Sequence, residues 1–179
     1  MCWGCDDKGR GGKESWSVPD YSIIHPQPRM NQPARTQILS ATSALFRDGQ
    51  VEAINKYFAP DYVVHITDQD VQGGPALVRS VVDLYRGAFP DLSVEVQFFL
   101  ESSDTVGWQR TMRATHTGAF KGFPGTGQPI VWREMVVSRF SDSLIVEEWV
   151  VTELAERLLL ARKSLSQKSP RPKRPRSDA

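Results

Sequence analysis

The chain has 179 residues, of which 40% are hydrophobic and 24% charged, as is typical of one soluble globular domain with terminal extensions. A formal net charge of +1 does not demand nucleic acid or an anionic membrane as a partner, and two cysteines exclude a disulfide-stapled core. No apolar run approaches the roughly 20 residues of a membrane helix, and the N-terminus lacks the apolar stretch of a signal peptide. We therefore expect a cytoplasmic protein without a membrane partner.

Residues 1–32 carry almost no periodic apolar pattern, and their glycines and prolines predict a disordered or loosely attached extension. Cys2 and Cys5 have the spacing of a redox pair or of half a zinc site. Because no second cysteine pair exists, we predict no metal site. Met30 stands just before the first helical pattern and is an alternative start of translation; an intact mass that begins at Met1 would contradict this hypothesis.

Helical patterns come first in the folded part of the chain. A first helix, ended by Asp48-Gly49, is predicted by the stripe Ile38, Leu39, Thr42, Leu45 and Phe46. A second, short helix ends at Pro60, with Val51, Ile54, Tyr57 and Phe58 on its buried side. A strand over Asp61–Thr67 follows. Gly73-Gly74-Pro75 then begins a third helix, whose apolar stripe is Leu77, Val81, Leu84 and Ala88.

The apolar period changes after Pro90. Alternation over Ser93–Leu100 predicts a half-buried strand, and three more strands are predicted at Val106–Thr117, Pro129–Ser141 and Leu144–Thr152. Ser141-Asp142-Ser143 is typical of a tight turn between the last two strands. A final helix over Glu153–Lys163 carries Leu154, Leu158 and Leu159. Since consecutive strands joined by short turns pair in antiparallel fashion, the helices must cover one face of this sheet.

We therefore predict one α+β domain over residues 33–162, a cone-shaped, curved antiparallel sheet packed on N-terminal helices and enclosing a small-molecule pocket. The sequence contains no glycine-rich nucleotide-binding motif and no nucleophile elbow. The tail over residues 163–179 is predicted to be disordered. Its segment Arg171-Pro-Lys173-Arg174-Pro-Arg176 resembles a nuclear-import or nucleic-acid-binding stretch, with solvated disorder as the alternative.

Several segments in this order resemble the SnoaL-like polyketide cyclase (ester cyclase) family of the nuclear-transport-factor-like superfamily. They are Phe58–His65, Gly73-Gly74-Pro75, Ala88–Leu92, Thr115–Gly118, Gly122–Gly127, Arg139-Phe140 and Ile145–Trp149. The resemblance covers Pro33 to Leu160. It implies a cavity for apolar, often polycyclic, ligands, cofactor-free aldol ring closure by an aspartate on the last strand, and a homodimer formed through the sheet.

The sequence departs from the family pattern at the positions that carry the chemistry. Val150 occupies the position of the family's acid/base aspartate, and Glu148 the preceding inward position, where the family has histidine. Val136 matches an assisting histidine, and Val64 replaces the usual aspartate before His65. The family's own mechanism therefore lacks its titratable group in this chain.

Strand alternation places other ionisable side chains on the inner face. We predict Glu134, Glu148 and His65 as catalytic residues because a buried ionisable group has a shifted pKa. Predicted ligand-binding residues are His116, Trp132, Trp108, Val136, Val150 and Phe123.

Each of these predictions has a structural alternative. Glu134 could pair with Arg110 or Arg133, Glu148 could point outward after a one-residue register slip, and His116 could hold the following loop. His65 and the tryptophans could be packing residues.

Two classes of function follow. The first is a cofactor-free ester cyclase, isomerase or hydrolase acting on a small apolar or polycyclic carbonyl compound, with Glu134 or Glu148 as acid/base. The second is a non-catalytic module that binds a small apolar ligand or dimerises. A weaker third is partner binding through the basic tail.

Overall fold

The computed structural model describes residues 32–66 and 69–168, with side chains for 33–66 and 69–165. Helix α1 spans Gln32–Thr42 and continues as a π-helical turn over Ser43–Arg47; a 3-10 turn over Val51–Ala53 leads into α2, Ile54–Tyr57. Helices α3 and α4 span Gly74–Ala88 and Leu154–Lys168. The predictions for the N-terminal extension, Cys2, Cys5 and Met30, and for the basic segment that begins at Arg171, lie outside the described residues.

The strands form one six-stranded sheet in the order β2-β1-β6-β5-β4-β3. Their bounds are Phe58–Ile66 (β1), Gln69–Gln72 (β2), Ser93–Glu101 (β3), Thr105–Thr115 (β4), Pro129–Ser141 (β5) and Leu144–Thr152 (β6). Every pairing is antiparallel except that of β1 with β6, which is parallel. The predicted α+β fold, with helices followed by a mostly antiparallel sheet, is confirmed.

Several element boundaries differ from the prediction, and one strand was not predicted. Helix α2 ends at Tyr57 rather than Pro60, because Phe58 already has the extended angles φ −116° and ψ 140°. A register shift between Phe58 and Val63 accommodates Pro60, which has no N–H for the ladder. Strand β2 was not predicted, since its residues are almost all polar. Helix α4 extends beyond the predicted end at Lys163, to Lys168.

Helix α3 is rotated by one residue from its predicted orientation. Val78, Val82 and Tyr85 are buried together with Ala88, whereas Leu77, Val81 and Leu84 are only partly buried. Two adjacent stripes of this helix are apolar, so periodicity alone could not choose between them. The rotation directs Tyr85 toward the sheet.

The core lies between the sheet and the helices and has two parts. The larger packs α1 to α4 against the sheet and includes Phe89, Met112 and Trp132. The smaller is built on Ala34, Ile38, Val106, Trp108, Val136 and Val150. None of the described helices is long and apolar enough to cross a membrane.

The loop after β4 is fixed to the end of α3. The backbone N–H groups of Thr117 and Gly118 both donate to the Ala88 carbonyl, at 3.0 and 3.1 Å. A Cβ at position 118 would lie 2.2 Å from the carbonyl oxygen of Gly87. Only glycine therefore permits this approach of the loop to the helix.

Candidate functional site

The register of β4, β5 and β6 arranges the inner face of the sheet in rows. One row contains Trp108, Val136 and Val150, and the next contains Arg110, Glu134 and Thr152. On the other side of the first row, Val106 pairs with Ser138 and Ser138 with Glu148. Because side chains alternate between faces, both predicted carboxylates lie on the buried side of the sheet.

Glu134 is held by four donors. Its carboxylate accepts hydrogen bonds from Arg110 Nε at 2.6 Å, Tyr85 Oη at 2.8 Å, Thr152 Oγ1 at 3.0 Å and Trp132 Nε1 at 3.3 Å. Burial pushes the pKa of Glu134 upward, but the Arg110 charge and the donated hydrogen bonds outweigh burial and leave this pKa below its ordinary value. Glu134 is therefore ionised and paired with Arg110. This is the structural alternative that the sequence analysis gave for Glu134.

Glu148 is also buried, with 7% exposure, yet no cation among the described residues bonds to it directly. It accepts hydrogen bonds from Tyr62 Oη at 2.8 Å and from Ser138 Oγ at 2.6 Å. Trp108 Nε1 in turn donates a hydrogen bond to Ser138 Oγ at 2.9 Å. Burial raises the pKa of Glu148, and neither the charge of Arg110 nor the two hydroxyl donors offset it. This carboxyl group therefore holds a proton at a higher pH than an ordinary glutamate.

Arg110 is the cation that this pair of carboxylates shares. Its guanidinium carbon lies 4.7 Å from the centre of the Phe46 ring and 5.8 Å from that of Trp108. Burial lowers the pKa of Arg110, but the carboxylate of Glu134 more than compensates and holds it above the ordinary value. The inner face thus carries a permanent charge beside a group that can exchange a proton.

The interior cavity beside these groups is small. It measures about 20 Å³, and Arg110, Glu148 and Trp108 form its polar and aromatic wall, the rest being Ile38, Ala41, Thr42, Leu45, Phe46, Phe58 and Ile145. That volume holds a single oxygen-sized group. The predicted interior pocket is largely filled, because bulky side chains such as Trp132 and Met112 occupy it with no exposed surface.

A larger cleft of about 370 Å³ lies at the rim of the domain. It is formed by the start of α1 and by the β3–β4 and β5–β6 turns: Pro33, Ala34, Gln37, Ser103, Asp104, Phe140, Ser141, Asp142 and Ser143. None of the site residues predicted from the sequence lines this cleft.

The predicted ligand-binding residues divide into two groups. Trp108 lines the interior cavity, and Val136 and Val150 face each other across β5 and β6 next to it. Trp132 has no exposed surface and packs on the rings of Tyr85 and Phe89, with centroids 6.3 and 5.0 Å away. Its indole also donates to Glu134, so Trp132 is a packing residue that supports the network.

His116 and Phe123 lie on the far side of the Arg110 row from Glu148. His116 is fully buried; its backbone N–H donates to the Gln128 carbonyl at 3.0 Å, and its Nδ1 lies 3.3 Å from Thr126 Oγ1. Burial lowers the pKa of His116. Phe123 pairs with Phe120 in a tight hairpin. Both residues hold the loop rather than line the interior cavity.

His65 is not part of the interior, and the prediction that places it there is wrong. Its neighbour Val64 lies opposite Glu148, whereas His65 lies opposite Trp149 on the outer face. His65 Nδ1 is 2.6 Å from Asp70 Oδ1, its Nε2 is 2.7 Å from Glu147 Oε1, and its ring stacks on Trp149 at 4.8 Å. Alternation along β1 forces this separation.

Sequence reasoning missed the two tyrosines that complete the buried network. Tyr85 was missed because the neighbouring apolar stripe of α3 was predicted to be the buried one. Tyr62 has the parity of Val64 on β1, so it could have been assigned to the inner face. In the described part of the chain, no group of three or more His, Cys, Asp or Glu side chains is arranged to hold a metal ion.

Comparison with known proteins identifies the family of this fold. The profile described as "SnoaL-like polyketide cyclase" matches residues 36–158. No curated protein matches the chain.

This chain matches several solved structures over nearly the whole length of each of them. AclR from Streptomyces galilaeus, assigned as a hydroxylase, is 31% identical with a TM-score of 0.64 over 74% of this chain and 97% of its own. A protein from Acidithiobacillus ferrooxidans, assigned as a polyketide cyclase, is 27% identical with a TM-score of 0.66 over 75% and 97% of the two chains. IdmH from Streptomyces antibioticus, with the same assignment, is 26% identical with a TM-score of 0.62 over 73% and 98%.

The profile match spans the helices, the whole sheet and the start of α4, and therefore includes both buried carboxylates. This chain belongs to the SnoaL-like polyketide cyclase family.

Proposed function

We propose that the protein binds a small apolar carbonyl compound beside Glu148 and moves a proton between that compound and the Glu148 carboxyl group. The observation that carries this proposal is a buried carboxyl with a raised pKa at the wall of the interior cavity. In the proposed step, ionised Glu148 removes a proton from the carbon next to the carbonyl. The electron pair of that C–H bond moves onto the carbonyl oxygen and forms an enolate.

Glu148 is preferred over Glu134 because of what each carboxylate contacts. Glu134 accepts a hydrogen bond from Arg110 at 2.6 Å and three more from neutral donors, so protonation would break an ion pair. Within the described part of the chain, Glu148 is bonded only to the hydroxyl groups of Tyr62 and Ser138. It can therefore gain and lose a proton without losing a charged partner.

The proposed acid/base differs from the family's position but lies close to it. Val150 pairs with Val136, and Glu148 pairs with Ser138, one row along the same inner face. A carboxylate that is moved by one row still faces the same interior. The family's carbonyl substrates support the same substrate class for this chain.

For a ligand to enter the cavity, side chains of helix α1 and of its π-helical turn must move. Ile38, Ala41 and Thr42 of α1, together with Leu45 and Phe46 of the turn, form one side of the cavity. A carbonyl compound larger than a single oxygen must displace some of these side chains. A π-helical turn is an irregularity that is frequent at functional sites, which is consistent with ligand binding at this wall.

The experiment is proton exchange at the methyl group of acetophenone in D₂O, followed by NMR without added cofactor. Wild type should accelerate the exchange, and Glu148→Gln should abolish the acceleration, because glutamine cannot accept the proton. Glu95→Gln is the matched control, since Glu95 is 75% exposed on the outer face. Exchange at the wild-type rate in Glu148→Gln would overturn the proposal. Acetophenone binding without any exchange would favour the non-catalytic binding module.

We also propose that the outer face of the sheet binds a second copy of the chain. Apolar side chains are exposed there, with Met135 opposite Val151 and Trp149 opposite Val137; their exposed fractions are 46% for Met135, 73% for Val151 and 41% for Trp149. Ion pairs of Arg133 with Glu153 and of Arg139 with Glu147 lie beside them. A patch that presents both charges can complement itself across a two-fold axis.

Sedimentation equilibrium tests the homodimer. The double variant Met135→Glu/Val151→Glu should be monomeric, because four carboxylates would meet across the two-fold axis. Leu159→Glu is the control, since Leu159 is 46% exposed on helix α4. A monomeric wild type at every concentration, or a double variant that still dimerises, would contradict this proposal.

A further inference from the structure

We infer that Arg110 binds a negatively charged oxygen of the ligand, so that the site takes an apolar compound bearing an enolate or carboxylate oxygen. The inference specifies the ligand of the interior site and rests on the proposed function only for the ligand's position beside Glu148. It concerns binding, and it assigns Arg110 a role that its ion pair with Glu134 does not require.

The terminal nitrogens of Arg110 are the first observation. Its Nε donates to Glu134 at 2.6 Å, while neither Nη1 nor Nη2 donates a hydrogen bond to any of the described residues. Arginine has five N–H donors in a rigid fork, so four remain. The side chain keeps 11% of its surface exposed and lines the interior cavity. These donors are therefore accessible from that cavity.

The surroundings of the guanidinium are the second observation. Phe46 and Trp108 contact it at 4.7 and 5.8 Å, and Glu134 fixes its inner edge. The remaining wall is mostly aliphatic and aromatic. A cation held in such an apolar setting attracts an anionic oxygen more strongly than one in water, and the cavity of about 20 Å³ fits one such atom.

The protonation state of Glu148 modulates the preference for an anion. Arg110 remains charged in its ion pair with Glu134, so its terminal N–H groups can donate charge-assisted hydrogen bonds to an anionic oxygen. Glu148, which shares the cavity wall with Arg110, is neutral when it carries its proton. An anionic oxygen then meets a cation and a hydroxyl donor. When Glu148 is ionised, the same oxygen meets a second negative charge. Affinity for the anion should therefore fall as the pH rises through the titration of Glu148.

Calorimetric titration with small probes tests the inference. The anions are benzoate and the enolate of cyclohexane-1,3-dione; the neutral controls are benzyl alcohol and cyclohexanone. We expect each anion to bind at least about tenfold more tightly than its neutral control, as charge-assisted hydrogen bonds require. Binding of only one anion identifies the ligand as a carboxylate or as an enolate. Equal affinity for anions and neutral controls, or no binding of either anion, would overturn the inference.

Variants of Arg110 make the test specific. Arg110→Lys keeps the charge that Glu134 needs but removes the fork, and should weaken anion binding by about tenfold or more. Arg113→Lys is the matched control, because Arg113 lies on the same strand, 53% exposed on the outer face. Wild-type affinity in Arg110→Lys would overturn the inference. Should Arg110→Lys fail to fold, ¹⁵N NMR of arginine-labelled wild type decides, since benzoate must shift the Arg110 Nη signals.

Glu148→Gln separates this inference from the proposed function. The glutamine is always neutral, so the variant should bind both anions with an affinity that no longer depends on the ionisation of residue 148. If wild type binds the anions at Arg110 but exchanges no protons of acetophenone, the inference stands and the proposed proton transfer fails. If exchange occurs and the Arg110 signals do not respond to either anion, the inference fails alone.

Discussion

Glu147 and Glu148 are adjacent in sequence and lie on opposite faces of the sheet, and the pKa of each moves in the opposite direction. The hydrogen bond from His65, with help from Arg139, lowers the pKa of Glu147 on the outer face. Burial raises the pKa of Glu148 on the inner face. The two residues are of the same type, so the side of the sheet decides which carboxyl holds its proton at a higher pH than an ordinary glutamate.

The two faces also differ in how their charges are matched. On the outer face, Glu147 bonds to His65 at 2.7 Å and to Arg139 at 2.7 Å, and Asp70 bonds the other nitrogen of His65. On the inner face, Glu134 and Glu148 share Arg110, and Glu134 alone bonds to it. The outer cluster connects four strands, β1, β2, β5 and β6, whereas the inner one leaves a carboxyl free to exchange a proton.

The largest effect is expected from removing the shared cation. Arg110→Met should lower the free energy of unfolding by about 3–5 kcal/mol, because it leaves Glu134 buried without a charge partner. Urea unfolding followed by circular dichroism measures the loss. The double variant Arg110→Met/Glu134→Gln should recover part of it. A loss no greater than that of Arg113→Met on the exposed face would show that the inner ion pair is not desolvated.

The next effect is the pH dependence that Glu148 contributes. Its pKa is raised in the fold, so the native state holds its proton more tightly than the unfolded chain. Wild type should therefore lose stability as the pH rises from the ordinary value of 4.5 to the raised pKa. Each unit of the rise is worth about 1.4 kcal/mol.

Replacing Glu148 by glutamine should remove this slope. The stability difference between Glu148→Gln and wild type should therefore grow with pH in favour of the variant, and urea unfolding at several pH values measures it. A difference that stays constant across this range would mean that Glu148 titrates normally.

The smallest effect is expected on the outer face. The hydrogen bond to Asp70 and then that to Glu147 raise the pKa of His65 above 6.5. The stability that protonated His65 adds is fully present below pH 6.5 and is lost as the pH rises through the raised pKa. His65→Gln should therefore destabilise the protein at pH 6, by no more than about 1 kcal/mol because the cluster is near water. An equal loss at pH 6 and pH 9 would contradict this account.

Much of the fold could be predicted because its signals are local. Alternation over Pro129–Ser141 and Leu144–Thr152 gave both strands with the bounds that the structure has, and it placed Glu134 and Glu148 on one face. The register that places them two rows apart on that face, on either side of the Val136–Val150 pair, follows from the short turn at Ser141–Ser143. His65 was misassigned because its strand pairs parallel with β6, a long-range pairing that no local pattern specifies.

The chemistry inside the domain depends on contacts that periodicity does not encode. Tyr85 reaches Glu134 from a helix 49 positions earlier, and Tyr62 reaches Glu148 from a strand 86 positions earlier. Each contact supplies one hydroxyl donor to a buried carboxylate, and the ion pair with Arg110 decides that Glu134 is the ionised one. The size of the cavity likewise depends on how Trp132 and Met112 pack together, which is a property of the whole core.

The most direct test of the account is a ¹³C NMR titration of the carboxyl carbons of Glu147 and Glu148 in the folded wild type. We predict that the Glu148 signal titrates above 4.5 and the Glu147 signal below it, with Glu95 as an exposed reference. Titration of Glu148 at or below 4.5 would contradict the assignment of this residue as the proton carrier of the inner face.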